Sequence, residues 1–209
     1  LYVEEKSIMY LMARAAKQAG TPAIRTSSIR DVIAIKEETG LPVIGLVKVQ
    51  YPGYEGFITP TMKEVDDLVA AGSDIVALDC TLRKRGDGST VNEFIAQIRE
   101  KYPDIILMAD ISNYEEGINA WKCGVDIVGT TMSGYTAYTS SVSDGPDYEL
   151  MERLSRDINI PVIGEGRIHY PDQAVKALQT GAWAIVVGGA ITRPLEIAMR
   201  FQNAIKESR

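Results

Sequence analysis

The chain has 209 residues, 45% of them hydrophobic and 24% charged, with a net charge of −6 and a pI near 5.0. That fits one domain able to bury its own core, and it excludes intrinsic disorder, collagen-like repeats and miniproteins that depend on disulfides. The acidic balance argues against a nucleic-acid-binding surface. The single histidine, His169, excludes most zinc sites and any histidine-activated nucleophile built elsewhere, and Cys80 and Cys123 read as reduced packing thiols. The longest apolar run, 181–191, is broken by glycines and too short to cross a bilayer, and no secretory leader is visible.

Taken in chain order, an amphipathic segment over 3–19 predicts a helix. Short runs rich in Val and Ile then alternate with longer amphipathic ones. They predict strand 23–25, helix 28–39, strand 43–48, helix 61–71, strand 74–79, helix 91–102, strand 105–110, helix 114–122, strand 126–130, helix 147–158, strand 161–165, helix 171–180, strand 183–188 and helix 194–207. Strands that are apolar throughout are buried on both faces, as in a parallel sheet covered by helices. Gly20, Gly40, Gly72, Gly124 and Gly181 stand where helices stop, and Pro171 and Pro194 where they start. No break in composition marks a linker, so 1–209 reads as a single α/β domain. A leading helix with no strand before it predicts a (β/α)8 TIM barrel whose first strand lies upstream of Leu1, between strands 23–25 and 183–188. The chain is short for that fold, typically about 250 residues, and an open doubly wound sheet is the alternative.

The predicted strands end in Arg25, Lys48, Asp79, Asp110, Thr130, Glu165 and Gly188. Their interiors are apolar, yet five of these seven ends are charged. A charge can simply stop a buried strand and meet solvent. In a barrel, however, all these ends converge on the one face where active sites sit. Two glycine-rich turns follow the last two strands: Gly164-Glu165-Gly166-Arg167, and Gly188-Gly189 leading to Arg193-Pro194. Glycines let backbone N–H groups approach phosphate oxygens, and an arginine adds a charge-assisted bond. Neither turn carries a dinucleotide fingerprint or a nucleotide P-loop. The loop 132–146 is rich in hydroxyls and carries Tyr135 and Tyr138, which suits a sugar. Arg83-Lys84-Arg85 reads as a solvated basic loop or a helper in anion capture, and His169 as exposed.

The segments 41–48 (LPVIGLVK), 77–79 (ALD), 108–112 (MADIS), 128–136 (VGTTMSGYT), 162–167 (VIGEGR) and 188–194 (GGAITRP) are distinctive in combination. They run the whole chain in order, and they resemble the N-acylmannosamine-6-phosphate 2-epimerase family. The resemblance implies a cytoplasmic bacterial (β/α)8 barrel that converts N-acetylmannosamine 6-phosphate to N-acetylglucosamine 6-phosphate during sialic acid use, with no metal or cofactor. It implies Lys48 as the catalytic lysine and Glu165 as its acidic partner. Arg25 and Asp110, with Asp79 and Tyr135 beside them, would bind the sugar, and Gly166, Gly188, Gly189 and Arg193 the phosphate. Many members carry Arg-Asp after the lysine where Val49-Gln50 stand here, and the stretch 50–57 diverges. Members are commonly dimers. The apolar terminal segments (Ile8, Met9, Leu11, Met12; Leu195, Ile197, Met199, Phe201) could supply a homodimer interface or pack on the barrel instead.

Inverting C2 means removing a carbon-bound proton beside the C1 aldehyde of the open-chain sugar. A free lysine, with pKa ~10.4, is neutral in about one molecule in 2,500 at pH 7, so a base lysine must be tuned down. An adjacent glutamate works against that if it is ionised, so the sign of the net shift is open at the level of sequence. Lys48 could instead form a Schiff base in a lyase or aldolase, and a non-catalytic phosphosugar-binding barrel is a third reading.

Overall fold

The computed structural model describes residues 7–140 and 145–208. Seven parallel strands lie side by side in chain order: β1 (Ile24–Ser27), β2 (Val43–Leu46), β3 (Ile75–Asp79), β4 (Ile106–Asp110), β5 (Ile127–Gly129), β6 (Val162–Glu165) and β7 (Ala184–Val186). Around them run α1 (Met9–Gln18), α2 (Ile29–Thr39), α3 (Met62–Ala70), α4 (Val91–Lys101), α5 (Tyr114–Lys122), α6 (Tyr148–Asp157), α7 (Pro171–Gln179), the four-residue α8 (Gly189–Thr192) and α9 (Pro194–Glu207). A doubly wound sheet reverses its strand order at a switch point. This one never does, so the open-sheet alternative is excluded. The sheet curls into a nearly closed barrel, with β1 and β7 as its two edges.

Both faces of the sheet are buried, and the strand period of two divides the residues between them. Ile44, Leu46, Ala77, Met108 and Ile163 point inward and close with Ile58 and Met132 into the barrel's inner cluster. Val43, Val76, Leu78, Leu107, Val128 and Val162 point outward and pack under the helices against Val32, Ile35, Leu68, Ile95, Ile98 and Leu154. Helix starts are set locally: Thr61 with Glu64 and Thr90 with Glu93 form capping boxes.

Several boundaries differ from the sequence expectation. The strand ladder of β2 ends at Leu46, not Lys48. From Val47 the chain leaves the parallel sheet and pairs antiparallel with 57–59: Val49 N–H donates to Phe57 O at 3.0 Å, Thr59 N–H donates to Val47 O at 2.7 Å, and Lys48 bridges Ile58. The divergent stretch 50–57 is thus an excursion at the barrel mouth. Of Arg83-Lys84-Arg85 only Lys84 is exposed to solvent as expected. Arg83 pairs with Asp79 at 2.5 Å, while Arg85 is buried, donates to the Pro60 carbonyl and lies 3.9 Å from the Phe94 ring centroid. A planar guanidinium given a carbonyl and an aromatic face can be buried where an ammonium could not. Of the expected helix over 3–19, residues 3–6 lie outside the described residues. α1 packs on the barrel through Ala13, Met9 and Tyr10. α9 follows the edge strand β7, and Leu195, Met199 and Phe201 on it remain exposed.

Three βα loops are tied together by one buried carboxylate. Glu116, only 1% exposed, accepts from Leu82 N–H (3.2 Å), Ser112 N–H (2.7 Å), Ser112 Oγ (2.7 Å) and Tyr138 Oη (2.5 Å). Those donors belong to the loops after β3, β4 and β5. Removing the carboxylate strands the two buried Ser112 donors, at about 1–3 kcal/mol for each group left unsatisfied, and releases Leu82 and Tyr138. Glu116→Ala is expected to lower unfolding free energy by ~2 kcal/mol or more and to speed proteolysis within 132–146. Chemical denaturation and limited proteolysis check this; Glu116→Gln, which keeps an acceptor, should lose less.

Candidate active site

Period-two alternation carries the inner face of each strand straight into the mouth. Lys48 lies two residues past Leu46, Asp79 two past Ala77, Asp110 two past Met108 and Glu165 two past Ile163, so all four inherit the inward direction of the inner cluster. Arg25 on β1 points the same way and lies across the barrel floor. Its Nη2 sits 2.7 Å from Asp110 Oδ2, its Nε 3.3 Å from Glu165 Oε2, and its Nη1 3.4 Å from Met108 Sδ. One guanidinium therefore joins β1 to β4 and β6.

The pair Thr130-Thr131, directly after β5, fixes Glu165 from two directions. Thr130 Oγ1 donates to Glu165 O (2.9 Å) and accepts from Glu165 N–H (3.1 Å). Thr131 Oγ1 lies 2.7 Å from Asp110 Oδ1 and 3.0 Å from Glu165 Oε2. Gly129 makes room for this: a Cβ there would stand 2.4 Å from Met108 Cε and 3.2 Å from Thr131 Oγ1.

Electrostatics divide the charged groups. Burial pushes the Glu165 carboxyl above the ordinary carboxylate range; Arg25 opposes that, and Asp110 reinforces it. Burial pushes the Lys48 ammonium down, and the Arg25 and Arg193 cations add to the effect against Glu165 and Asp110. Lys48 is exposed and makes no ion pair within 4 Å among the described residues. Burial also opposes the charge of Arg25, but Asp110 and Glu165 outweigh it and hold the guanidinium firmly protonated.

The remaining expected residues divide. Gly166 follows Glu165 with φ +108°, and Gly188 caps α8, whose first residue is Gly189. The first N–H groups of a helix have no partner within it, so the start of α8 presents backbone donors at the same end of the barrel as Glu165 and Gly166. Arg193, between α8 and α9, is exposed and lies 2.8 Å from Glu196. Tyr135 is exposed at the rim, 5.9 Å from the Arg167 guanidinium. Asp79 is engaged by Thr81 N–H (3.1 Å), Thr81 Oγ1 (2.6 Å) and Arg83, and Gly56 passes close over it. Burial raises its pKa. Its oxygens hold the loop after β3. His169 is half-buried, not exposed; burial and Arg200 keep its pKa low. Residues 141–144 of the hydroxyl-rich loop lie outside the described residues; its first half is anchored by buried Met132, by Thr136–Thr139 at 2.6 Å and by Tyr138 on Glu116. Among the described residues no group of three or more His, Cys, Asp or Glu side chains is arranged to hold a metal ion.

A family model described as "Putative N-acetylmannosamine-6-phosphate epimerase" matches residues 9–207. The chain belongs to this family. A relative from Caldanaerobacter subterraneus subsp. tengcongensis carrying the 2-epimerase form of that name is 56% identical over 202 residues, covering 97% of this chain and 85% of its own. One from Clostridium perfringens is 50% identical over 199 residues, covering 95% and 89%. The solved structure of the N-acetylmannosamine-6-phosphate 2-epimerase from Clostridium perfringens superposes with a TM-score of 0.90 at 47% identity, covering 97% of this chain and 90% of that one. A thiamine phosphate pyrophosphorylase from Pyrococcus furiosus, at 20% identity and TM-score 0.60, shares the fold alone.

Sequence reasoning missed Thr131 and Glu116, and named Thr130 only as a strand end. The Gly-Thr-Thr run carried a signal for both threonines, since hydroxyls at the end of a buried strand need partners. Asp110 both repels charge on Glu165 and competes for Arg25, so losing it acts twice in one direction. Asp110→Asn is expected to lower the Glu165 titration midpoint toward the ordinary carboxylate range. Carbon-detected NMR of the glutamate carboxyls, assigned with Glu165→Gln, checks this.

Proposed function

We propose that this protein inverts C2 of N-acetylmannosamine 6-phosphate to give N-acetylglucosamine 6-phosphate, as a cytoplasmic isomerase of amino-sugar and sialic acid breakdown. The single observation that carries the mechanism is the buried cluster in which Arg25 contacts both Asp110 and Glu165; Glu165 is shifted up there, and Lys48, which feels the same three charges, is shifted down. In the open-chain sugar, neutral Lys48 takes the C2 proton. The C–H electrons move toward C1 and place negative charge on the former aldehyde oxygen, where the Arg25 cation and the new Lys48 ammonium stabilise it. Glu165, protonated, returns a proton to the other face of C2. Lysine then holds one proton more and glutamate one fewer, and transfer between them resets the site.

The neutral-lysine, neutral-glutamic-acid form carries the same proton count as the ion pair. Its population is therefore independent of pH between the two titrations, and both shifts favour it. No step requires a metal or cofactor on this reading. Asp110 and Tyr135 contact the sugar, with Asp79 supporting the loop beside it. Gly166, Gly188, Gly189 and Arg193 hold the phosphate, supported by the two turns at the same end of the barrel as Glu165. The uncovered Leu195, Met199 and Phe201 of α9 suit a homodimer interface.

Lys48→Ala and Glu165→Ala are each expected to lower kcat ~100-fold or more with the fold retained. Turnover in deuterium oxide should place deuterium at C2 of the product. A folded Lys48→Ala protein with near-normal kcat defeats the assignment, trapping by borohydride with substrate would favour a Schiff base, and inhibition by a chelator reversed by metal would defeat the metal-free mechanism.

Arg193→Ala is expected to raise KM roughly 10- to 100-fold, the loss of a charged hydrogen bond of ~1.5–3 kcal/mol. Equal turnover of unphosphorylated N-acetylmannosamine by the unmodified protein would show the phosphate site to be misplaced.

A further inference from the structure

Thr131 stands between two carboxyl groups with one proton to give. Its Oγ1 is 2.7 Å from Asp110 Oδ1 and 3.0 Å from Glu165 Oε2, both hydrogen-bond distances. A threonine hydroxyl carries one O–H donor and two acceptor lone pairs. If Asp110 and Glu165 were both ionised, one of these contacts would set an oxygen against an oxygen with no proton between them. Closing both contacts requires one further proton, held by a carboxyl and donated to Thr131.

The surroundings decide which carboxyl holds it. Asp110 is fully buried, takes the short 2.7 Å bond from Arg25 and sits at the shorter of the two Thr131 distances. Glu165 has the longer contact with Arg25, 3.3 Å. The charged groups facing Glu165 are Arg25 from β1, Asp110 from β4 and Lys48 from beyond β2, while Arg193 acts on Lys48.

We propose that Thr131 is a positioning residue that keeps Glu165 protonated and aimed in the resting site, donating its own proton to Asp110 and accepting the proton of Glu165. Burial and Asp110 push the Glu165 carboxyl up, whereas a hydrogen bond donated by Thr131 would hold it down, so Thr131 favours the protonated form only by accepting from it. When Glu165 gives its proton to C2, the hydroxyl can swing about χ1 or its C–O bond to donate to the new carboxylate, while Arg25 alone holds Asp110. No atom is gained or lost: the proton passes from the Glu165 oxygen to carbon, and the one Lys48 removed returns to Glu165 on reset. This rests on Glu165 acting as the acid in the reaction above.

The test pairs infrared spectroscopy with kinetics on the purified protein. At neutral pH the unmodified protein should show a carboxylic-acid C=O band that disappears in Glu165→Gln. In Thr131→Val that band should move to higher frequency or vanish as its hydrogen-bond partner is lost, and in Thr131→Ser it should return. Thr131→Val should lower kcat roughly 10- to 100-fold with KM changed less than about threefold, and Thr131→Ser should restore most of kcat. Absence of the band at neutral pH, its loss in Asp110→Asn but not in Glu165→Gln, or an unaltered band and kcat in Thr131→Val would overturn the proposal. If Thr131→Val fails to fold, the location of the band and the behaviour of Thr131→Ser still decide it. Failure here leaves the epimerase reading standing as long as Lys48→Ala abolishes turnover; normal turnover by Lys48→Ala would defeat that reading, whatever the infrared result.

Discussion

A buried arginine that faces two carboxyl groups is the constraint on which this site depends. Arg25 reaches from the edge strand β1 across the floor of the mouth to Asp110 on β4 and Glu165 on β6. Burying a guanidinium costs several kcal/mol unless its partners are well placed, and removing one partner of such a set is far more damaging than never building it. That cost explains much of the local architecture. Thr130 pins the backbone of Glu165, Thr131 fills the gap between the carboxyls, and Gly129 stays bare so that Met108 and Thr131 can come close. One cation faces two buried acids and cannot satisfy both equally. Burial lifts Glu165 first and Asp110 adds to it, against Arg25; burial lowers Lys48 first, and the same cation adds to that. A base and an acid of altered strength thus share burial as their first cause, with Arg25 acting on both.

The rim supports this centre without sharing its chemistry. Glu116 ties together the loops after β3, β4 and β5, and Asp79 with Arg83 and Thr81 braces the first of them. Among the described residues three non-glycine positions have a left-handed backbone: Ser28 and Arg167 lie just past the ends of β1 and β6, and Thr59 follows the bridge between Lys48 and Ile58 at the same mouth. Such conformations persist only where the surroundings over-determine them. Their placement at one end of the barrel matches the demand that loops there hold side chains in fixed positions over a rigid sheet.

The sequence alone determined the strand-helix alternation, the parallel sheet and the convergence of Arg25, Lys48, Asp79, Asp110 and Glu165 on one mouth. Each follows from a local regularity: strands that are apolar throughout need cover on both faces, and a period of two carries an inward strand residue to an inward strand end. The resemblance carried by the segments around Lys48, Glu165 and Arg193 pointed to the same family that the whole-chain comparisons show. The tertiary structure alone decided which carboxyl Arg25 holds closest, that Asp79 is spent on Arg83, that Arg85 is buried against Phe94, that 47–49 turns back onto 57–59, and that Thr131 bridges two acids. These depend on distances between residues tens of positions apart, such as 85 between Arg25 and Asp110 and 34 between Thr131 and Glu165. Proton affinities follow those distances and the depth of burial, and neither is a property of any segment read by itself.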